Sequence, residues 1–440
     1  MAAARCNKYF VTALLSLSAA CLCAQQTSSA VHRHPVAGQP ASNSSALLDQ
    51  AEALLAKRDY ASALPLLRQA TETDARSYQA WYDLGYAEQG LNHDTEAVAA
   101  YKRSLEINPK VFETNLDLGL LLAGSGDSEH AISYLQAATQ LQPANHPDAS
   151  RARAWLAVGR LQLNRNPAAA EQAFLEAAKL APAEPQAHLL LGELYANSGK
   201  MEQATNQYQL ALSGGQTDVR AQALRGLVNI AIATKHYGEA ESNVRQYLAT
   251  SPVDVQARLL LGHLLAAQGK SEEALTQLNA AGAGDDTVLR ERADLLTALH
   301  REAEAIPIYQ HLVEHRGNDA QLRYEYGLAL LHRKQWAPAE EQLLAAVKLN
   351  PNLGGAYGDL AVAADENQHY DLSLKALDIR TKLLGDNPGT YFLRATALDH
   401  LRRYPEATQN YRQFLAAANG KYPDEEWKAR HRLIAIQKLK

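Results

Sequence analysis

The stretch WYDLGYAEQGLNHDTEAVAAYKRSLEINP, residues 81–109, and its counterpart NLDLGLLLAGSGDSEHAISYLQAATQLQP, residues 115–143, carry the same kind of residue at the same places. Trp81, Leu84, Gly85, Ala97, Tyr101, Ser104 and Pro109 fall 34 residues before Asn115, Leu118, Gly119, Ala131, Leu135, Ala138 and Pro143. In each copy the apolar residues form two stretches of helical spacing parted by a short polar turn, such as SGDSEH at 125–130, so each copy predicts a helical hairpin. Gly85 and Ala97 are small where the two helices would cross. Pro109 and Pro143 stop the second helix, because proline lacks the amide donor and restricts the residue before it. One such hairpin cannot cover its own apolar face, but a stack of them can.

Working outward, the same slots return as Leu191, Gly192, Ala204 and Tyr208, as Leu261, Gly262, Ala274 and Leu278, and as Tyr326, Gly327, Ala339, Leu343 and Pro351. The pattern resembles the tetratricopeptide repeat, W-x2-L-G-x2-Y followed by A-x3-F and a late proline. About eleven copies start near Ser44, Tyr78, Phe112, Arg151, Pro185, Ala221, Val255, Asp286, Ala320, Gly354 and Pro388. The copy at 286–319 has Ala293 in the glycine slot, and the tenth has Ser373 where alanine is usual. The resemblance implies an all-α, right-handed superhelical solenoid over 44–421. Residues 422–440 then read as a capping helix in which Trp427, Leu433, Ile434 and Ile436 cover the last repeat while Lys428, Arg430, Arg432 and Lys438 stay wet. Bends are expected where the spacing slips: HPDAS at 146–150 adds residues between repeats, and the glycine-containing segment 281–287 reads either as a hinge or as a merely longer loop.

Residues 1–24 read as an export signal, with Arg5 and Lys8 before an apolar stretch, Phe10 to Ala20, that is too short to span a membrane. Residues 25–43 read as a flexible polar leader. Cys6, Cys21 and Cys23 are the only cysteines, so the cleaved chain would hold no disulfide and no thiolate site. Ser18-Ala19-Ala20-Cys21 also resembles a lipoprotein cleavage box, which leaves open an anchor at Cys21 and with it an envelope assembly factor. Otherwise the expected location is periplasmic or secreted. The formal charge of −5 becomes −7 without Arg5 and Lys8, and a mildly acidic surface argues against a nucleic-acid partner.

HLVEH at 311–315 matches H-x-x-E-H formally, which would suit a zinc hydrolase using His311, Glu314 and His315. The sequence supplies no identifiable third ligand, so the string reads instead as solvated histidines at a helix end, complementing its dipole. No metal, cofactor or catalytic group is called for. Gly262 to Lys270 keeps the repeat spacing rather than that of a phosphate loop.

By resemblance, the second, fifth, sixth, ninth and twelfth positions of each first helix line a concave groove that binds proteins or extended peptide segments. The sixth position carries Asp49, Asp83 and Asp117 in successive repeats, with Tyr82, Tyr86, Leu116 and Leu120 around them. Farther on it carries Leu190 and Leu260, then Glu325 beside Tyr324, and Asp359. Such a file of carboxylates among aromatic platforms suits a segment bearing Lys or Arg. A plain solvated helix face is the competing reading. The basic and Asn residues with which some family members clamp a C-terminal carboxylate are not at the matching positions.

Overall fold

A computed structural model describes residues 43–438, which form 23 helices with no strand among the described residues. Twenty-two of them pair into eleven antiparallel hairpins. The first six are α1 (Asn43–Leu55) with α2 (Tyr60–Thr73), α3 (Tyr78–Gly90) with α4 (Asp94–Ile107), α5 (Phe112–Gly124) with α6 (Ser128–Thr139), α7 (Pro147–Gln162) with α8 (Pro167–Leu180), α9 (Pro185–Asn197) with α10 (Met201–Leu212), and α11 (Thr217–Ala233) with α12 (Tyr237–Thr250). The remaining five are α13 (Val255–Ala267) with α14 (Ser271–Ala280), α15 (Asp286–Ala298) with α16 (Glu302–His315), α17 (Ala320–His332) with α18 (Trp336–Leu349), α19 (Gly354–Glu366) with α20 (Tyr370–Leu384), and α21 (Pro388–His400) with α22 (Tyr404–Ala418). Helix α23 (Pro423–Gln437) closes the series. Within each unit, successive hairpins pack on one another, so the fold is a stack of helical repeats.

The small residues act as the sequence predicts. A Cβ on Gly85 would lie 2.6 Å from the Tyr101 ring, one on Gly119 2.6 Å from Leu135, one on Gly192 2.6 Å from Tyr208, and one on Gly327 2.7 Å from Leu343. Ala97, Ala131, Ala204, Ala274 and Ala339 have no exposed surface. Helix starts are fixed by side-chain caps: Ser77 accepts from Ala80 N, Asp127 from His130 N, Asp254 from Ala257 N, and Asp319 from Gln321 N and Leu322 N. Each such cap contributes about 1 kcal/mol. The turn inside the hairpin recurrently places one residue in the left-handed region. That residue is glycine at Gly126, Gly199 and Gly269, but it is Arg58, Asn92, Lys235, His300, Lys334, Gln368 and Arg402 elsewhere.

The described chain divides into two compact units at Thr250/Ser251. The hinge expected at 281–287 therefore lies inside the second unit, and Val288 and Leu289 just after it are buried against Leu278 and Leu275. Of two further expectations, one holds and one needs correcting. The added residues at 146–150 are present as expected: the connection 140–146 has seven residues against four at 108–111, and Pro147 opens an α7 of 16 residues against 13 in α5. In α23 the buried face is Glu426, Ala429 and Ile436, with Leu433 half-buried, whereas Trp427 is 61% and Ile434 54% exposed. Residues 426, 429, 433 and 436 follow one helical stripe, and 427 and 434 sit one residue, about 100°, away from it. Arg432 is likewise not simply solvated: it grips Asp399, its Nη2 donating to Oδ1 at 2.9 Å. The expected signal at 1–24 and the leader up to residue 42 lie outside the described residues, while Asn43 already belongs to α1. No described helix is long and apolar enough to cross a membrane.

Candidate functional site

The three sixth-position aspartates sit in different environments. Asp49 on α1 is exposed, Asp83 on α3 is buried at 6% exposure, and Asp117 on α5 is half-buried. A cleft of about 120 Å³ is lined by Glu52, Tyr78, Gln79, Tyr82, Asp83 and Glu113, so it gathers three carboxylates between aromatic rings. Glu113 is fixed at its rim by accepting from Ala144 N at 2.7 Å.

Tyr82 and Leu116 do not serve as open platforms, since they are 4% and 3% exposed. Both were expected in the groove, and both are core. Tyr82 stacks on Tyr86 with centroids 6.5 Å apart and tilts against Tyr101 at 5.8 Å, and Tyr60 meets Tyr86 edge-on at 5.9 Å. Burial raises the phenols of Tyr82 and Tyr101 and pushes Tyr86 up to about 12, so all of them stay neutral donors. Tyr86 and Leu120 are half-buried and keep some open surface.

The Tyr82 hydroxyl donates to Asp117 Oδ2 at 2.9 Å across 35 residues. The same step, from the fifth position of one repeat to the sixth of the next, recurs farther along the described residues. Arg290 Nη2 donates to Glu325 Oε2 at 2.9 Å, and the Tyr324 hydroxyl donates to Asp359 Oδ2 at 2.9 Å, each across 35 residues. Arg290 also pairs with Asp319 at 2.9 Å, and Gln321 Nε2 donates to the other Glu325 oxygen at 2.8 Å. The sequence reading saw the carboxylates but missed these rungs, which a search for donors 35 residues upstream would have found.

Donor chemistry then sets the charge balance. Asp117 is pushed up to about 6, chiefly by burial, which the Arg153 cation and the Tyr82 hydrogen bond only partly oppose while the Glu113 charge adds to it. Asp359, also held by a tyrosine, is raised by burial as well. Arg290, beside Glu325 and Asp319, is raised despite burial because two carboxylates face it. A carboxylate held by a neutral donor in a partly closed site retains charge that a cation could match.

The sequence model of the tetratricopeptide repeat family matches residues 48–111, 116–185, 160–218, 225–286 and 290–353. Anaphase-promoting complex subunit 3 of Schizosaccharomyces pombe is 26% identical over 177 residues, 39% of this chain and 25% of that protein, so the chain spans a quarter of that relative's length. Among solved structures, Pseudomonas aeruginosa PilF is 22% identical with a TM-score of 0.41, covering 49% of this chain and 95% of its own. The type IV pilus biogenesis factor PilW is 21% identical with a TM-score of 0.40, covering 50% and 100%. The Cut9–Hcn1 hetero-tetramer of the APC/C gives 12% identity and a TM-score of 0.36 over 88% and 96%.

Proposed function

Because this chain belongs to the tetratricopeptide repeat family, whose members are generally protein-interaction scaffolds, we propose that it is a non-catalytic scaffold of the cell envelope. Its bound partner is an extended protein segment carrying Lys or Arg, held along the first helices of the N-terminal repeats. The observation that carries this reading is the acidic cleft of Glu52, Asp83 and Glu113, together with Asp117, whose retained hydrogen bond comes from a neutral phenol. A cationic side chain entering there would gain charge-assisted hydrogen bonds that solvent screens poorly. Repeats stacked in register suit an extended segment, since each presents its sixth position once per hairpin.

Crosslinking in the native cell identifies the bound protein, and a peptide of its captured segment then serves as the probe. Asp49→Asn, Asp83→Asn and Asp117→Asn combined should weaken binding at low salt by about tenfold or more, with a smaller difference at high salt. Equal affinity of parent and triple variant at both salt concentrations would move the working surface elsewhere. Export rests on the reading of residues 1–24 and is tested by fractionation with N-terminal sequencing. A mature chain starting at Gln25 in the periplasm or medium supports it, whereas a lipid-modified Cys21 in the membrane fraction favours the anchored assembly factor.

A further inference from the structure

The histidine string at 311–315 takes no part in the groove. Helix α16 ends on it, and His311 and His315 lie one turn apart with ring centroids at 4.3 Å. Antiparallel pairing brings the first residue of α15 against this last turn. Asp286 Oδ1 lies 3.9 Å from His315 Nδ1, and the ligand-capable atoms of Asp286, His311 and His315 all lie within 4.8 Å of one another. The third donor that the sequence did not supply thus comes from 25 residues upstream of His311. Glu314, the acid inside the string, instead accepts from Gln310 Nε2 at 3.4 Å along its own helix.

We propose that Asp286, His311 and His315 form a binding site for a divalent transition-metal ion of the zinc type. Two imidazoles and one carboxylate are the donor set such ions prefer, whereas calcium and magnesium take sets made of oxygen. Tetrahedral coordination at about 2.1 Å places donors roughly 3.4 Å apart. The present spread of up to 4.8 Å has to close to that, and both histidine side chains are exposed and so not locked by packing. His311 also lines a cavity of about 520 Å³ together with Leu275, Leu289, Leu296, Arg292 and Glu304. A metal there would tie the start of α15 to the end of α16, just past the glycine-containing 281–285 junction and within the hairpin that has Ala293 in its crossing slot. Arg316 opposes it, because its Nε donates to Asp286 Oδ2 at 3.0 Å and adds a positive charge beside the site.

Titrating the full-length, untagged protein with Co²⁺ tests the site through the visible absorption of the tetrahedral ion, with Zn²⁺ as competitor. The parent should take up Co²⁺ saturably, lose it to Zn²⁺ and unfold at higher temperature with Zn²⁺ than without. His311→Ala and His315→Ala should each weaken binding about tenfold or more, and Asp286→Asn by several-fold, while Glu314→Gln leaves it unchanged. Arg316→Gln should tighten binding several-fold, which a merely adventitious pair of histidines would not show. The absence of a saturable Co²⁺ signal in the parent, or an unchanged signal in the His311→Ala/His315→Ala double variant, would overturn the proposal. These residues lie outside the acidic cleft, so either result leaves the peptide reading to be judged by its own test.

Discussion

Tyr82 with Asp117 in the first unit and Arg290 with Glu325 in the second are the same rung built from different chemistry. Both span 35 residues, both join the fifth position of one repeat to the sixth of the next, and both bonds are 2.9 Å long. Where arginine donates, the carboxylate is neutralised within the fold and the rung is a strut. Where tyrosine donates, the donor adds no charge, nearby cations only partly offset the carboxylate, and its proton affinity rises with burial. One backbone register thus carries a salt bridge at one level of the stack and a phenol–carboxylate hydrogen bond at another.

The largest effect should come from removing the strut's cation. Arg290→Met leaves Glu325 and Asp319 facing each other, with Asp294 close by and already raised by burial and the Glu325 charge. Urea unfolding should show a loss of about 3 kcal/mol. Crossing sterics give the next contrast. Gly85→Ala drives a methyl to 2.6 Å from Tyr101, whereas Gly262→Ala meets Leu278 at 3.1 Å. The first should cost about 2 kcal/mol and the second less than about 1. Tyr82→Phe removes one hydrogen bond from a neutral phenol to the Asp117 carboxylate and should cost about 1.5 kcal/mol, less than Arg290→Met. A cost equal to that of Arg290→Met would break the distinction between the rungs. The smallest effect belongs to the turns. Lys334→Gly, at a φ of 56°, should raise stability by about 0.5 kcal/mol, and Gly126→Ala, at 89°, should lower it by about 1.

The repeat period was readable because its slots encode sterics: Gly85 faces Tyr101, Ala97 is sealed, and Pro109 stops a helix whatever else varies. The carboxylate file was readable as a list of positions, but not the burial of Asp83, Tyr82 and Leu116, which depends on how the next hairpin covers them. The left-handed turn escaped notice because Lys235, Lys334 and Arg402 occupy it without the glycine that usually marks it. Asp286 escaped because a local string shows i and i+4 partners but not the residue that antiparallel packing returns to the same end. On α23, Leu433 and Ile436 were placed on the covering face correctly, whereas Trp427 and Ile434 lie one residue of phase off it and Glu426 takes the place given to Trp427.

The pH dependence of the tyrosine rung follows from its sign. Asp117 binds its proton at about 6 in the folded chain against an ordinary 3.8. Its contribution to stability is therefore fully present below about pH 4 and lost as the pH rises through 6. At neutral pH the ionised carboxylate costs up to about 3 kcal/mol, the distance from 3.8 to about 6 at about 1.4 kcal/mol per pH unit, and less where solvent reaches it. The most direct test is equilibrium urea unfolding of Asp117→Asn and Glu325→Gln at pH 7.5. Opposite signs are predicted: Asp117→Asn gains about 1 kcal/mol by removing a desolvated charge that Arg153 only partly offsets, and Glu325→Gln loses about 2 kcal/mol by leaving Arg290 underpaired. If both substitutions lowered stability by similar amounts, the two rungs would be equivalent struts, and the claim that Asp117 holds its charge for a partner would be contradicted.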